Sequence, residues 1–328
     1  MRDRSTNLGQ MRSVEQMGEF REFLASWERE RRTLDAHLPS IPTAQTEQER
    51  LEELVEQAGH AVRVGHEPFL AWALAHNPQI ARETDPYTIF SRHTLLAQAC
   101  IGESVSIVRR LIPLSDPNFR DSRGFTPLMM SLRNNQIAIT KALIAVSDAS
   151  LADESGRTAL DIAAATGRAD AVEALLPVSD AQRIAGSAKL NPLRRAALSD
   201  EGDPVQCIHL LLPVSEANQR HPVSGYTALH DVVARAHSLE TEKIAALLEA
   251  CDPLAKNEEG LTPFALAIRL KKWGLAEALA ERSDPDEVQR AFEEHGVDKM
   301  PRWAARIEAA HAGSERQGSE RAKPPGPR

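Results

Sequence analysis

An all-α solenoid of about six helix-pair repeats, with helical caps at both ends, is the fold this 328-residue sequence predicts. Three observations carry it. A short cap-like motif recurs as Thr94-Leu-Leu-Ala, Thr126-Pro-Leu-Met, Thr158-Ala-Leu-Asp, Asn191-Pro-Leu-Arg, Thr227-Ala-Leu-His and Thr262-Pro-Phe-Ala, at separations of 32, 32, 33, 36 and 35 residues. A second echo follows each cap after about 17 residues: Leu111-Ile-Pro-Leu-Ser-Asp, Leu143-Ile-Ala-Val-Ser-Asp, Leu175-Leu-Pro-Val-Ser-Asp, Leu211-Leu-Pro-Val-Ser-Glu, Leu247-Leu-Glu-Ala-Cys-Asp and Leu279-Ala-Glu-Arg-Ser-Asp. Finally, 42% of the residues are hydrophobic but only 4% aromatic, which makes any core aliphatic and alanine-rich and points to helices. A fixed period of this length is the mark of stacked units that cannot bury their apolar faces alone.

In chain order, residues 1–18 are polar and charged and are expected to be disordered. Residues 19–91 read as an N-terminal helical region and cap. Phe20, Phe23, Leu24, Trp27, Leu34 and Leu38 recur at helical spacing, so a helix from about Glu19 to His37 has one apolar face, ended by Pro39 and Pro42. That face is buried either against the solenoid as a cap or in a dimer or partner contact. A second amphipathic stretch with Leu51, Leu54, Val55 and Ala58, followed by Phe69 to Ala75 with Trp72 and Leu74, predicts a degenerate helix pair, because a terminal repeat must exchange one buried face for a polar one.

Residues 92–284 hold the repeats. In the third copy Gly156 suits a left-handed turn, Thr158 an N-cap, and Leu160, Ile162, Ala163 and Ala164 the apolar side of a first helix. Gly167 breaks that helix. Ala171, Val172, Leu175 and Leu176 form the second, closed by Pro177 and a Ser179-Asp180 turn. The fourth copy is the least regular: Lys189 takes the Gly position, Asn191 the Thr position, Arg195 an otherwise mostly apolar one, and Asp200 to Pro204 lengthens the loop, which marks a hinge. Residues 285–312 predict a C-terminal helical cap, with Val288, Ala291, Phe292, Trp303, Ile307 and Ala310 as contacts, and residues 313–328 a disordered tail.

The repeated Gly-x-Thr-Pro-Leu-His-like start and the later Leu-Leu run resemble ankyrin repeats, over residues 92–284 and in six copies. The match departs from the family pattern in two ways. The Gly after the second helix is Ser or Cys here, and the motif His is present only as His230, so the hydrogen bonding that histidine supplies is implied there alone. The Pro-Val-Ser-Asp ending resembles a bacterial variant of the repeat, and 31 Arg against 8 Lys point to GC-rich coding DNA and a bacterial source. The resemblance implies a non-catalytic protein-interaction scaffold that grips a partner through the concave face made by turn tips and first helices.

Charge and motif content narrow the alternatives. With 47 acidic against 39 basic residues and a net charge of −8, sequence-independent nucleic-acid binding is not expected. The N-terminus lacks the apolar stretch of a secretory signal and no run is long enough to span a membrane, so a cytoplasmic protein is expected, with specialised secretion as an effector the rival. Cys100, Cys207 and Cys251 form no C-x-x-C pair, so neither a disulfide framework nor a metal site is called for, and Cys100 and Cys207 read as small core residues. No phosphate loop, H-E-x-x-H or nucleophile elbow is present; Gly102-Glu-Ser104-Val-Ser106 comes nearest and aligns with a repeat loop. Catalytic residues and cofactors are therefore not expected. An enzyme site within residues 1–90 and a self-assembling structural protein are the remaining rivals.

The positions that vary beside the fixed motif are the candidate partner-binding residues: Ser122, Arg123, Phe125, Arg133, Asn134, Glu154, Arg157, Tyr226, Arg235, Glu258, Leu261 and Arg269. Their arginines and aromatic rings suit an interface and suggest a protein partner with acidic and apolar features, bound by a monomer or by a dimer formed through the N-terminal helix.

Overall fold

The computed structural model describes residues 47–84, 93–186, 188–235, 241–294 and 303. The expected helix of residues 19–37, the termini 1–18 and 313–328, and the stretch from Pro301 to His311 apart from Trp303 lie outside them. Every regular element among the described residues is helical, and extended pairing is limited to two isolated bridges, Thr84 with Thr94 and Ala185 with Leu190. The chain forms two compact units, Met1–Glu154 and Ser155–Arg328.

The first unit contains α1 (Glu47–Val64), α2 (Glu67–His76), a 3-10 turn (Pro78–Ala81), α3 (Leu95–Ala99), α4 (Val105–Leu111), α5 (Pro127–Arg133) and α6 (Ile137–Ile144). The spacing of Leu54, Val55, Ala58, Ala61 and Val62 puts one face of α1 in the core, where it meets Phe69, Leu70 and Ala73 of α2 and the helix α3. Gly59 lets Gln98 of α3 come so close that a Cβ there would stand 2.7 Å from the amide oxygen. Ser104, the would-be nucleophile, instead N-caps α4 by accepting from the Ile107 amide at 3.4 Å.

The second unit contains α7 (Ala159–Ala165), α8 (Ala169–Leu175), α9 (Pro192–Ala197), α10 (Pro204–Leu211), α11 (Ala228–Arg235), α12 (Thr241–Leu247), α13 (Pro263–Arg269), α14 (Trp273–Ala280) and α15 (Pro285–Glu294). Two rows result. The first helices pack in the order α7, α9, α11, α13, with α15 extending the row, while α8, α10, α12 and α14 stack behind them. Val288, Ala291 and Phe292 of α15 are buried, and Phe264, Phe292 and Trp303 form an aromatic cluster with centroids 6.0 to 6.5 Å apart.

Short side-chain caps explain why such brief helices start where they do. Thr94, Thr126, Thr158, Asn191 and Thr262 each accept from the amide three residues on, which satisfies one of the orphan donors of a helix start. Proline at the first position of α5, α9, α10 and α13 sets the helical φ in advance. Two residues before each of the later caps the backbone is left-handed, at Gly124, Gly156, Gly225 and Gly260, and also at Lys189 with φ of 47°. The fourth copy therefore keeps the turn without its glycine.

Cys100, Cys207 and Cys251 are all buried free thiols, and burial pushes each of them up, Cys207 and Cys251 to about 12. They are thus held as protonated core groups at neutral pH.

Candidate partner-binding surface

The turn tip of the second repeat is built around Asp121. Its carboxylate accepts from the amides of Arg123 at 2.8 Å and Phe125 at 2.7 Å, while its own amide and carbonyl bond to the Phe125 carbonyl and the Gly124 amide. The next tip joins this one through the Glu154 amide, which donates to the Arg123 carbonyl at 3.0 Å. Ser122, Arg123, Arg133, Asn134 and Glu154 have exposed side chains here. Asn134 also turns its amide back to the Met130 carbonyl at 2.8 Å, closing the end of α5.

Phe125 does not have the place expected of it. It is only 6% exposed, and the guanidinium groups of Arg123 and Arg133 lie over its ring at 5.4 and 5.1 Å. The ring is a pedestal that orders two arginines by cation–π contact. Phe125, expected among the partner-binding residues, is instead a buried side chain of the tip.

In the second unit Arg157 and Tyr226 are half-buried, Leu261 likewise, and Arg235, Glu258 and Arg269 are exposed. Tyr226 stacks on His230 with centroids 5.4 Å apart and planes 22° from parallel. Glu258 pairs with Arg220 at 3.3 Å, and its amide bonds to the Ser224 carbonyl of the preceding tip. Arg269 forms an ion pair with Glu259. Arg123, Phe125 and Arg133 belong to the first unit and Arg157, Tyr226 and Arg235 to the second.

His230 binds one repeat to the next. Its Nδ1 accepts from the Thr227 amide at 3.2 Å, which leaves the proton on Nε2 to be donated to the Leu261 carbonyl at 2.9 Å. Burial holds its basicity below that of an ordinary imidazole, so the neutral form is the folded one. The lowered value makes this contribution to stability complete above about pH 6.5 and lost as the pH falls through the folded pKa. Between pH 7 and pH 5 the melting temperature of the native chain should therefore fall more steeply than that of His230→Asn, as followed by circular dichroism. Equal slopes would assign the acid sensitivity to other groups.

The largest feature absent from the sequence reading is a set of buried ion pairs around the fourth repeat. Arg195 Nε reaches Asp161 Oδ1 of the preceding repeat at 2.8 Å, and Arg194 reaches Asp231 Oδ2 of the following one at 2.5 Å. Arg195 also donates to the Ala185 carbonyl at 2.7 Å, and Lys243 of α12 pairs with Asp200 and bonds to the Ser199 carbonyl. Burial, despite Arg194, pushes the Asp231 carboxyl above the usual range. The lengthened loop is closed by the Asp203 amide donating to the Gly167 carbonyl, at a contact where a Cβ on Gly167 would stand 1.8 Å from the Glu201 oxygen. Tied in this way on both sides, the fourth repeat lacks the construction of a hinge. A signal was present in sequence: two arginines on an apolar stripe, each with an aspartate on a neighbouring first helix.

Among the described residues no group of three or more His, Cys, Asp or Glu could hold a metal ion, and no helix is long and apolar enough to cross a membrane.

Comparison with known proteins places this geometry. A family model described as ankyrin repeats (3 copies) matches residues 59–148 and, overlapping them, 96–185. No curated protein matches the sequence. Among solved structures the ankyrin repeat domain of Bcl-3, described as a unique member of the IkappaB protein family, is 24% identical with a TM-score of 0.57, covering 68% of this chain and 96% of that one. The ankyrin repeat domain of human ASB11 is 20% identical with a TM-score of 0.56, covering 70% of this chain and 98% of that one. These likenesses concern the fold.

Proposed function

We propose, from the premise that this chain is built of ankyrin repeats, that it is a non-catalytic scaffold holding a protein partner against its turn tips and the ends of its first helices. The ankyrin fold is typically a non-catalytic one that serves protein–protein interaction. The observation that carries the reading is the construction of the tips. Asp121 in one unit and His221 in the other, whose Nδ1 accepts from the Val223 and Ser224 amides, fix the tip backbone, while Arg123 beside its tip and Arg133 and Arg235 at the ends of first helices are exposed. A framework already ordered before binding loses little further freedom when a partner arrives. Arginine and tyrosine at such positions are the side chains that most often carry interface energy.

Affinity capture from the source cell followed by titration of the captured protein tests this. Tyr226→Ala and Arg133→Glu should each weaken binding by about 1 to 2 kcal/mol or more, with thermal unfolding little changed. Glu173→Lys, on the exposed side of α8, is the control. Affinity untouched by the first two changes and lost with the control would place the interface on the opposite face. Phe125→Ala is a poor probe, because its burial makes it report folding rather than binding.

A further inference from the structure

The loop joining the two helices of the sixth repeat, Arg269 to Trp273, exposes two large apolar side chains among cations. Leu270 is 42% and Trp273 37% exposed, and Lys271 stands between them in solvent. In the same register the second and third repeats carry Asn134 with Ile137 and Thr166 with Ala169, so the pairing of Leu with Trp is particular to this copy. The register is secure because Asn135, Gly167 and Lys271 all take the left-handed conformation, at φ of 57°, 62° and 58°.

The loop is also held still. Amides of Leu270, Lys271 and Lys272 donate to the carbonyls of Leu266, Ile268 and Ala267 at 2.9 to 3.0 Å. Lys272 Nζ crosses to the Val233 and Ala234 carbonyls at 2.7 and 3.1 Å, bringing the end of α11 and the exposed Arg235 beside the loop. Arg235, Arg269, Lys271 and Lys272 thus lie on the loop and the helix ends that flank it: Arg269 is paired with Glu259, Lys272 is held by the two carbonyls, and Arg235 and Lys271 are exposed. On a chain of net charge −8 this is a local reversal of sign.

We propose that this patch docks a partner segment in which a large apolar side chain is flanked by carboxylates: the apolar group against Leu270 and Trp273, the carboxylates against Arg235 and Lys271. The assignment rests on the scaffold reading above and adds to it the chemistry of the partner. Charge complementarity selects the occupant. A tryptophan beside arginines is the composition of an interface anchor, and an acidic segment would be steered to this sign of charge.

The test titrates the full chain with a fluorescein-labelled peptide in which glutamates flank Leu-Phe, read by anisotropy at low and raised salt, with a lysine-flanked version and phosphatidylserine vesicles as further arms. The acidic peptide should bind, the lysine version should not, and raised salt should weaken binding. Trp273→Ala should reduce affinity about tenfold or more, Leu270→Ser should do the same if the tryptophan variant unfolds, and Arg235→Glu with Lys271→Glu should remove the salt dependence. Lys141→Glu, exposed in the first unit, should change nothing. Unaltered peptide affinity in a folded Trp273→Ala, no peptide binding, or binding to vesicles alone overturns the proposal. A captured partner that responds to Tyr226→Ala but not to Trp273→Ala would leave the scaffold reading standing and remove this patch. The reverse pattern would keep the patch and remove the tip face.

Discussion

Asp161→Ala is expected to destabilise the second unit by about 3 to 5 kcal/mol, the loss characteristic of breaking a buried ion pair from one side. The carboxylate accepts from the Thr158 amide at 2.9 Å and its hydroxyl at 3.1 Å as well as from Arg195, so one substitution removes a capping box and an ion pair together. What remains is the costly part. Arg195 is 9% exposed and would keep only the Ala185 carbonyl as its partner at 2.7 Å. A charge left in that position has lost its water without regaining a counter-charge.

The double variant Asp161→Ala, Arg195→Leu separates this account from a simple loss of packing. If the penalty is the stranded guanidinium, removing it should return a large part of the stability, because an apolar pair can replace a buried ion pair at little cost. Urea unfolding of the native chain, both single variants and the double gives the coupling directly. A double variant no more stable than Asp161→Ala would show that the ion pair is not the source of the effect.

The same residues show where sequence reasoning reached and where it stopped. The threonine caps, the left-handed tip positions and the apolar stripes were legible because each depends on neighbours within a few positions along one helix. The order of helix pairs followed from the period. Arg194 and Arg195 were not legible in the same way, since their partners lie 37 and 34 residues away on adjacent repeats. Read locally, they interrupt a stripe; read across the stack, they join three first helices. Phe125 was misplaced for a related reason. A large ring at a turn tip reads as an exposed anchor until Arg123 and Arg133, two residues before it and eight after, are seen to lie over it. In the sixth repeat Arg269 is legible as a varying position beside the motif and Trp273 is not, because the tryptophan stands at the first position of a second helix, outside the turn tips and first helices that make up the expected face.

Leu175→Ala is expected to cost about 2 to 5 kcal/mol. The residue ends α8, is fully buried, and lies in the row of second helices where α8 meets α10. The cost has two parts: the transfer of the lost methyl groups and the void they leave. The void should stay largely open here. On the first-helix side α7 is held to α9 by the Asp161–Arg195 pair, and the start of α10 is held by the Asp203 amide on the Gly167 carbonyl, so the backbone around the site cannot shift inward without breaking buried polar contacts. Glu173→Ala, two residues earlier on the exposed side of the same helix, should change stability by about 0.5 kcal/mol or less. Denaturant midpoints for the pair decide it, with the slope watched for the loss of cooperativity that repeat arrays allow. Equal shifts for the two variants would mean that α8 does not turn Leu175 into the stack. A large shift for Leu175→Ala with an unchanged slope would mean that the seam between adjacent repeats holds the second unit together as one folding block, as nearest-neighbour coupling along a solenoid requires.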